Sequence, residues 1–474
     1  MRECLFQQRL YRRDILKTLL LEDILTAMNI QFNDKQRGNQ IQKVTNDSDE
    51  IDNHTLYFRW YNSEVPVKKI KKYENVFIVT ETPFAKMDRL KPEQIIMVKD
   101  LEDSYFKFTS YYRHLFNIPV VAVTGTCGKS TTKEMLKHIL EEEYNVQATV
   151  SSKNADYFNL PYLLGIDEDT DVAVFETAVS KRGDMTESCK YFYPTIGIIT
   201  MIDVDHTDKI RSFADYLAEK AKIMEGMNNE GTLILNIDDP YLSSLDTSKF
   251  KGEIITFGKH RDADFRIKWS QHDSSGMTFW FKYKQNTFKG YIPGLGEHNV
   301  YNAITSLVAA EVLGVDLHYA IKRLSKFQHM KSHFEIIKGR NQIKVVDDTW
   351  KSNPASLRKG LETLSSIALP NQRKIVVLGR MSALGDYGDE EYKKAGHLLG
   401  KLGIDVLITK GFIAKDFVEP AIEAGINPDN VYHFSDADEM KIFFDSFLIP
   451  DDFVYFKTGG EDPDFEEIID YLRN

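Results

Sequence analysis

The chain has 474 residues, of which 42% are hydrophobic and 28% charged, with a net charge of −11. This composition excludes a chain disordered throughout and a collagen-like or mucin-like chain, and the acidic balance disfavours nucleic acid as a partner. The sequence shows no apolar run of about 18 residues, which a membrane span needs, and no secretory signal is read at its start. The three cysteines lack the spacing of a disulfide framework or a zinc site. We therefore expect a cytoplasmic protein and leave its oligomeric state open.

Predicted strands and helices alternate along most of the chain, which is typical of parallel sheets. The segments predicted as buried strands before residue 210 are 74–82, 93–100, 120–125, 171–176 and 195–202. The pattern of residues 252–291 predicts antiparallel structure, a helix follows from Asn299 to Leu313, and a second alternating series begins near residue 334. We expect an α/β protein of three domains: residues 1–117, a central parallel-sheet domain at 118–333, and a Rossmann-like domain at 334–474.

The motif TGTCGKSTT, residues 124–132, lies between a predicted strand and a predicted helix. In such a glycine-rich turn, backbone N–H groups and the positive end of the helix dipole converge on phosphate oxygens. Lys129 would supply charge to the terminal phosphates, and the Ser130 hydroxyl would bind Mg²⁺. Because Val123 stands where the longer pattern has glycine, the match is to G-x-x-G-K-[ST]. The predicted nucleotide-binding residues are Gly125, Thr126, Cys127, Gly128, Lys129, Ser130 and Thr131.

Two alternatives to these roles stay open. The turn could be an ordinary strand–turn–helix corner, and Cys127 could be a nucleophile activated by the helix dipole or a small residue that fills a turn. Within a predicted helix over residues 213–227, Phe213, Leu217, Ala221 and Met224 form an apolar stripe. Lys220 belongs to that stripe, where an unpaired ammonium is costly, although it could extend its amine out to solvent.

Six further motifs follow the glycine-rich turn in a fixed order. They are FETAVSKRGDM (175–185), IDVDHTD (202–208), LAEKAKIMEGM (217–227), GTLILNIDDP (231–240), GEHNVYNAI (296–304) and VVDDTWKSNPAS (345–356). Together with the turn, which is similar to the family's TGTNGKTTT, they resemble the Mur ligase family over roughly residues 44–467. The resemblance is dense in the middle of the chain and sparse at both ends.

The resemblance implies an ATP-dependent ligase that joins a carboxylate to an amine through an acyl phosphate, releasing ADP and phosphate. The closest pattern is the branch that adds D-alanyl-D-alanine to UDP-N-acetylmuramoyl tripeptide, in peptidoglycan precursor synthesis. By resemblance, residues 1–117 bind the acyl substrate and residues 334–474 the amine, both small molecules. Two Mg²⁺ ions would be held by Ser130, Glu176, His206 and a carbamate that CO₂ forms on Lys220. The catalytic residues would be Lys129, Glu176, His206 and Lys220.

The same resemblance assigns further binding residues. Asn299 and Asn302 would approach adenine, and Asp347 and Asp348 the ribose hydroxyls. The residues assigned to the substrates are Asn154, Asn159, Ser180, Asn353 and Lys457. Several of these side chains could instead be helix caps or turn formers.

Both substrate ends depart from the family pattern. Residues 457–466 are acidic where a basic pattern is expected, which would repel an amine that carries a carboxylate and suit a more cationic one. Three alternatives stay open: a divergent or folylpolyglutamate-type ligase making another peptide-like metabolite, a non-catalytic nucleotide-binding module, and a general P-loop NTPase that drives conformational work.

Overall fold

In a computed structural model, the protein is described over residues 16–60, 63–459 and 462–473. The strands are β1 Leu19–Leu20, β2 Gln40–Ile41, β3 Lys43–Thr45, β4 Thr55–Phe58, β5 Phe77–Thr80, β6 Ile95–Met97, β7 Val120–Thr124, β8 Val146–Ala148, β9 Val172–Glu176, β10 Ile196–Ile199, β11 Thr232–Asn236, β12 Glu253–Gly258, β13 Phe265–His272, β14 Gly276–Tyr283, β15 Asn286–Pro293, β16 Glu335–Lys338, β17 Lys344–Asp347, β18 Lys374–Leu378, β19 Val406–Lys410, β20 Val431–Phe434 and β21 Phe453–Lys457.

The α-helices are α1 Leu21–Ala27, α2 Val67–Ile70, α3 Leu101–His114, α4 Lys129–Leu140, α5 Asn159–Leu164, α6 Asp184–Phe192, α7 Phe213–Ala221, α8 Ile223–Gly226, α9 Pro240–Ser243, α10 Glu297–Val312, α11 Leu317–Leu324, α12 Pro354–Ile367, α13 Gly388–Lys401, α14 Val418–Glu423, α15 Ala437–Phe447 and α16 Pro463–Arg473. Among the described residues, no helix is both long enough and apolar enough to cross a membrane.

The chain divides into two compact units, each made of separate stretches of sequence. Within the described residues, the first lies in 16–120, 143–175 and 186–194, and the second lies in 121–142, 176–185 and 195–473. The three domain boundaries drawn from the sequence therefore stay a prediction.

The first unit contains a parallel sheet in the order β3-β4-β5-β6. All four residues of β4 and all four of β5 are buried, and Phe58 of β4 packs edge-on against Tyr105 of α3, with ring centroids 5.0 Å apart. The predicted strands at 74–82 and 93–100 are confirmed as β5 and β6. The second of them is not fully buried, since β6 is an edge strand and Met97 is exposed.

The second unit has a sheet in which β7, β10, β11 and β12 are parallel and β13, β14 and β15 are antiparallel. The predicted antiparallel start at residue 252 is wrong, because β12 pairs in parallel with both β11 and β13. The connection from β11 to β12 includes α9, and its length allows the crossover that a parallel pair requires. Helix α10 packs on α4, whose Met135, Leu136, Ile139 and Leu140 are buried as the sequence predicts.

A second sheet of this unit has the order β16-β17-β21-β18-β19-β20, and only β16 is antiparallel among its described strands. Alternate residues of its strands enter two separate hydrophobic cores. Val376 and Tyr455 belong to one core, whereas Val377 and Phe456 belong to the other. A parallel sheet covered on both faces is the arrangement of doubly wound folds, so the predicted α/β class and Rossmann-like carboxyl-terminal domain are confirmed.

Candidate active site

The glycine turn, residues 125–128, connects the end of β7 to the start of α4. Gly125 has φ 140° and Gly128 has φ 84°, conformations that L side chains rarely adopt. A Cβ atom at Gly125 would lie 2.0 Å from Thr200 Oγ1, and one at Gly128 would lie 2.4 Å from Asn302 Oδ1. Both glycines are thus required by backbone conformation and by the closeness of neighbouring side chains.

Residues that follow β10 hold the turn in place. Thr126 Oγ1 accepts a hydrogen bond from the N–H of Asp203 at 2.9 Å and lies 3.1 Å from the Asp203 carbonyl oxygen, to which it donates. Thr200 Oγ1 donates to the Cys127 carbonyl oxygen at 2.6 Å. The turn is therefore fixed from outside, and the N–H groups of the first turn of α4 stay available for an anion.

Lys129 begins α4 and has no carboxylate partner at ion-pair distance in the described part of the chain. Its Nζ donates to the Thr126 carbonyl oxygen at 3.1 Å. Burial, and after it the positive charge of Lys351, lower the pKa of the Lys129 ammonium. An amine held beside a phosphate-binding turn without a carboxylate at ion-pair distance is suited to an anionic ligand.

Ser130 and Glu176 supply a pair of oxygen ligands at the same turn. Glu176 is the last residue of β9 and is buried, and Ser130 Oγ donates to its Oε2 at 2.7 Å. A hydroxyl and a carboxylate next to a phosphate site are the hard oxygen donors that Mg²⁺ prefers. These two residues fit the Mg²⁺ role that the sequence predicts.

Asp205 and Lys351 form a buried charge pair that was not predicted from the sequence. The Asp205 side chain is only 1% exposed, and its Oδ2 lies 2.9 Å from Lys351 Nζ and 3.1 Å from Asn353 Nδ2. Burial alone would raise the pKa of the Asp205 carboxyl, but Lys351, His206 and Lys129 together lower the pKa. The sequence signals for this pair were an acidic residue beside His206 and a lysine two residues before a helix-capping asparagine.

His206 has φ 53°, a left-handed backbone that is uncommon for a residue other than glycine. Burial lowers the pKa of its imidazole to about 4, against the opposing charge of Asp205. Its Nε2 lies 3.4 Å from Lys351 Nζ. An ammonium can only donate, so this contact is a hydrogen bond in the neutral tautomer that carries its ring proton on Nδ1.

Lys220 lies where the sequence predicts, with 1% of its surface exposed. Its Nζ is 4.5 Å from the centroid of the Tyr216 ring, and the Tyr216 hydroxyl is 3.4 Å from Thr126 Oγ1 of the glycine turn. Burial, followed by the charge of Lys129, lowers the pKa of the Lys220 amine well below its usual value. In the described part of the chain this amine has no carboxylate at ion-pair distance.

The helix that carries Lys220 differs from the prediction. It breaks at Lys222 into α7 and α8, and the buried positions include Tyr216, Lys220 and Ile223 rather than Phe213 and Leu217. The predicted helix over residues 213–227 is therefore wrong in continuity, and its apolar stripe is buried at Met224 but only half-buried at Phe213, Leu217 and Ala221. Lys222 is not simply solvated, since it pairs with Glu219 at 2.6 Å.

Helix α10 brings Asn302 to the glycine turn, at Gly128. Asn302 Oδ1 also lies 3.5 Å from Thr132 Oγ1, while Asn299 donates from Nδ2 to the Leu295 carbonyl oxygen at 2.9 Å. Both side chains are buried. Asn353 caps α12 and accepts from Cys127 Sγ at 3.2 Å, so it reaches the turn as well.

The Asp348 cluster consists of Asp348, Tyr455 and Lys457 at the second sheet. Asp348 Oδ2 accepts from the Tyr455 hydroxyl and from Lys457 Nζ, both at 2.7 Å, and Oδ1 accepts from the Phe334 N–H at 3.2 Å. The carboxylate of Asp347 accepts from Ser332 Oγ at 2.8 Å. The polar groups of this cluster are thus paired with one another.

The remaining predicted substrate residues are placed as follows. Ser180 donates from its N–H and its hydroxyl to Asp184 Oδ2, at 2.7 and 3.0 Å. Asn159 begins α5 in the first unit and is buried, and Asn154 lies in the same unit. The acidic stretch near the carboxyl end is partly neutralised, since Lys410 pairs with Asp464 at 2.6 Å and with Asp462 at 3.6 Å.

A metal site made only of protein side chains is not found in the described residues, where no three His, Cys, Asp or Glu side chains are suitably grouped. The fold and the glycine turn define a nucleotide-binding α/β protein with a P-loop. The model of the Mur ligase middle domain matches residues 123–310, and that of the Mur ligase glutamate ligase domain matches residues 334–457. The chain belongs to the Mur ligase family and is an ATP-dependent ligase.

Individual relatives agree with this assignment. The UDP-N-acetylmuramoyl-tripeptide–D-alanyl-D-alanine ligase of Bacillus subtilis is 27% identical over 73% of this chain and 74% of its own length. The ligase of the same name from Borreliella burgdorferi is 26% identical over 96% of this chain and 99% of its own. Among solved structures, MurF from Acinetobacter baumannii has a TM-score of 0.82 at 21% identity, covering 97% of this chain and 99% of its own.

Proposed function

We propose that the chain joins D-alanyl-D-alanine to a UDP-N-acetylmuramoyl tripeptide with hydrolysis of ATP to ADP, as part of peptidoglycan precursor synthesis. The observation that carries the proposal is the fixed glycine turn with an unpaired Lys129 and the Ser130–Glu176 oxygen pair beside it. The names of the relatives supply the two substrates. Because ATP is the cosubstrate, we place the reaction in the cytoplasm.

The chain's own residues would first bind the triphosphate. N–H groups of the first turn of α4 would donate hydrogen bonds to the phosphate oxygens, and the Lys129 ammonium would balance charge on the phosphoryl group that moves. In phosphoryl transfer the protein acts mainly by positioning groups and neutralising charge. An oxygen of the substrate carboxylate forms a bond to the γ-phosphorus as the bond to ADP breaks. The amine then bonds to the acyl carbon and loses a proton, and phosphate leaves.

The expected metal ions fit the site unequally. Ser130 and Glu176 would hold one Mg²⁺, which when bound neutralises charge on the phosphates. The second ion was assigned to His206 and Lys220, but His206 Nε2 already accepts from Lys351, and the Asp205 carboxylate is paired. The donor set around His206 therefore does not fit a divalent ion as these side chains stand.

A carbamate on Lys220 is part of the proposal. The buried amine has a lowered pKa, so it is available as the neutral nucleophile that must react with CO₂. The amine nitrogen would bond to the carbon of CO₂ and release one proton, which leaves an anion among the charges of Lys129 and Lys351. The carbamate would then be a negatively charged partner for these two ammonium groups.

The nucleotide and substrate roles assigned from the sequence belong to the same proposal. Asn302 supports it through its closeness to Gly128. The residues assigned to nucleotide or substrate are Asn154, Asn159, Ser180, Asn299, Asn302, Asp347, Asp348, Asn353 and Lys457.

The substrates are tested by ADP release from the purified chain with ATP, Mg²⁺ and UDP-N-acetylmuramoyl tripeptide. We expect release that depends on D-alanyl-D-alanine and exceeds release with D-alanine, L-glutamate or lysine as the amine. Stronger stimulation by glutamate would favour a folylpolyglutamate-type ligase. ATP binding without stimulation by any acid–amine pair would favour a non-catalytic module.

The carbamate is tested by ¹³C NMR of the chain in ¹³C-bicarbonate. We expect one carbamate resonance that is lost in Lys220→Met and kept in Lys222→Met, since Lys222 is an adjacent, ion-paired lysine. A resonance that survives in Lys220→Met would contradict the assignment to this residue.

A further inference from the structure

Lys351 is held by contacts that place its ammonium beside His206, the residue to which the family resemblance assigns the second metal ion. The strongest contact is the ion pair with Asp205, whose carboxylate is buried and also accepts from Asn353. Asn353 is itself fixed, because it caps α12 through the N–H of Ser356 at 2.9 Å. The Lys351 side chain is 37% exposed, whereas that of Asp205 is 1% exposed.

The same ammonium lies 3.4 Å from His206 Nε2. A neutral imidazole nitrogen has one lone pair, which can accept a hydrogen bond or bind a metal ion but not both. A divalent ion at His206 would therefore have to displace the ammonium and would then face its charge at close range. Asp205 cannot compensate, because its negative charge is already matched by Lys351.

We propose that the Lys351 ammonium takes the place of a second divalent cation, so that this ligase binds its nucleotide with a single Mg²⁺ held at Ser130 and Glu176. The proposal rests on the proposed function, since it concerns the ATP site of the ligase. A lysine ammonium delivers one positive charge, and the ion pair with Asp205 fixes its position. Lys351 thereby acts as a positioning residue for Asp205 and His206 and as a resident cation of the site.

The test counts metal ions with Mn²⁺ as the probe. The full chain, in excess over a non-hydrolysable ATP analogue, is titrated with Mn²⁺, and free Mn²⁺ is measured by its electron paramagnetic resonance signal. We expect one bound Mn²⁺ per bound nucleotide in the wild-type chain. We expect two in Lys351→Ala, because the lone pair of His206 and the carboxylate of Asp205 are then free for the second ion.

Lys359→Ala is the matched control, since Lys359 lies on α12 and is paired with Glu362 near the surface. It should keep one Mn²⁺ per nucleotide. Two bound Mn²⁺ in the wild-type chain, or one in a folded Lys351→Ala, would overturn the inference and leave the ligase function standing. If Lys351→Ala does not fold, Lys351→Gln replaces it. The number of Mn²⁺ ions bound per nucleotide by the wild-type chain tests the inference in either case. A chain that binds no nucleotide would overturn both proposals.

Discussion

Two clusters of lysines and acids in the second unit differ in how their charges are matched. In the Asp348 cluster, Lys457 is 3% exposed and pairs with the carboxylate it faces at 2.7 Å. At the glycine turn, Lys129 and Lys220 have no such carboxylate in the described part of the chain, and Lys351 alone is paired. The members of the first cluster are paired with one another, whereas in the second cluster the amines of Lys129 and Lys220 have no carboxylate at ion-pair distance in the described part of the chain.

This difference separates structural from functional charge. A buried ammonium without a partner costs free energy in the folded chain, so its presence at a phosphate-type turn indicates that an anionic ligand offsets the cost. A buried pair that is complete stabilises the fold locally, so its loss is expected to lower stability first. Substitutions at the glycine turn should therefore lower activity, and substitutions in the Asp348 cluster should lower stability.

The largest effect is expected from Lys129→Met. Loss of its charge at the transferred phosphoryl group should lower kcat/KM for ADP release by about 10³-fold. The midpoint of thermal unfolding should stay the same or rise, because an unmatched amine is removed. Lys137→Met, on the same helix, should retain full activity. A loss of less than tenfold in kcat/KM would contradict a role for Lys129 at the transferred phosphoryl group.

In the Asp348 cluster, Lys457→Met should instead lower the stability of the folded chain. It leaves the buried Asp348 carboxylate without its cation, at a cost of about 3 kcal/mol in the free energy of unfolding. Urea titration measures this cost. Lys394→Met, which removes a surface lysine paired with Glu390, should cost less than about 1 kcal/mol. Equal losses in the free energy of unfolding would show that the Asp348–Lys457 pair contributes no more than the surface pair.

A smaller effect on binding is expected from Gly128→Ala. The new Cβ meets Asn302 Oδ1, and alanine resists the φ of 84°, so the affinity for an ATP analogue should fall about tenfold. Gly403→Ala shares the strain, with φ 63°, but meets only Lys374 Nζ at 3.7 Å. Calorimetry should find unchanged nucleotide affinity in this control, and equal affinity losses in both variants would contradict the account.

The smallest effect concerns pH and His298, which is near the start of α10. Burial lowers the pKa of its imidazole to about 3, below the ordinary value of about 6.5. Between these values the unfolded chain binds a proton that the folded chain does not, so stability falls as pH falls through this window. From pH 7.5 to 5.5, His298→Gln should lose about 1 kcal/mol less than the wild-type chain. Identical pH profiles would rule out this contribution.

Much of this contrast could be predicted from the sequence. The buried strands β7, β9 and β10 are continuous apolar runs, and the motif between β7 and α4 identified the glycine turn. The burial of Lys220 followed from helical periodicity even though the helix breaks at Lys222. The pairing direction of β12 was missed, because a short apolar run has the same appearance in parallel and antiparallel sheets.

The charge pair of Asp205 and Lys351 could not be predicted from the sequence, for a different reason. The two residues are 146 positions apart, and their contact exists only because α12 places its capping segment against the loop after β10. No local pattern encodes such a tertiary contact. The same holds for Asp348 and Lys457, which are 109 positions apart.

Transfer of isotope from the acid tests the central claim most directly. The wild-type chain is given ATP, D-alanyl-D-alanine and UDP-N-acetylmuramoyl tripeptide labelled with ¹⁸O in its reacting carboxylate, and the phosphate released is examined by mass spectrometry. If Lys129 and the glycine turn activate the acid as an acyl phosphate, one ¹⁸O atom appears in the phosphate and the nucleotide product is ADP. Unlabelled phosphate, or AMP with pyrophosphate, would contradict the account.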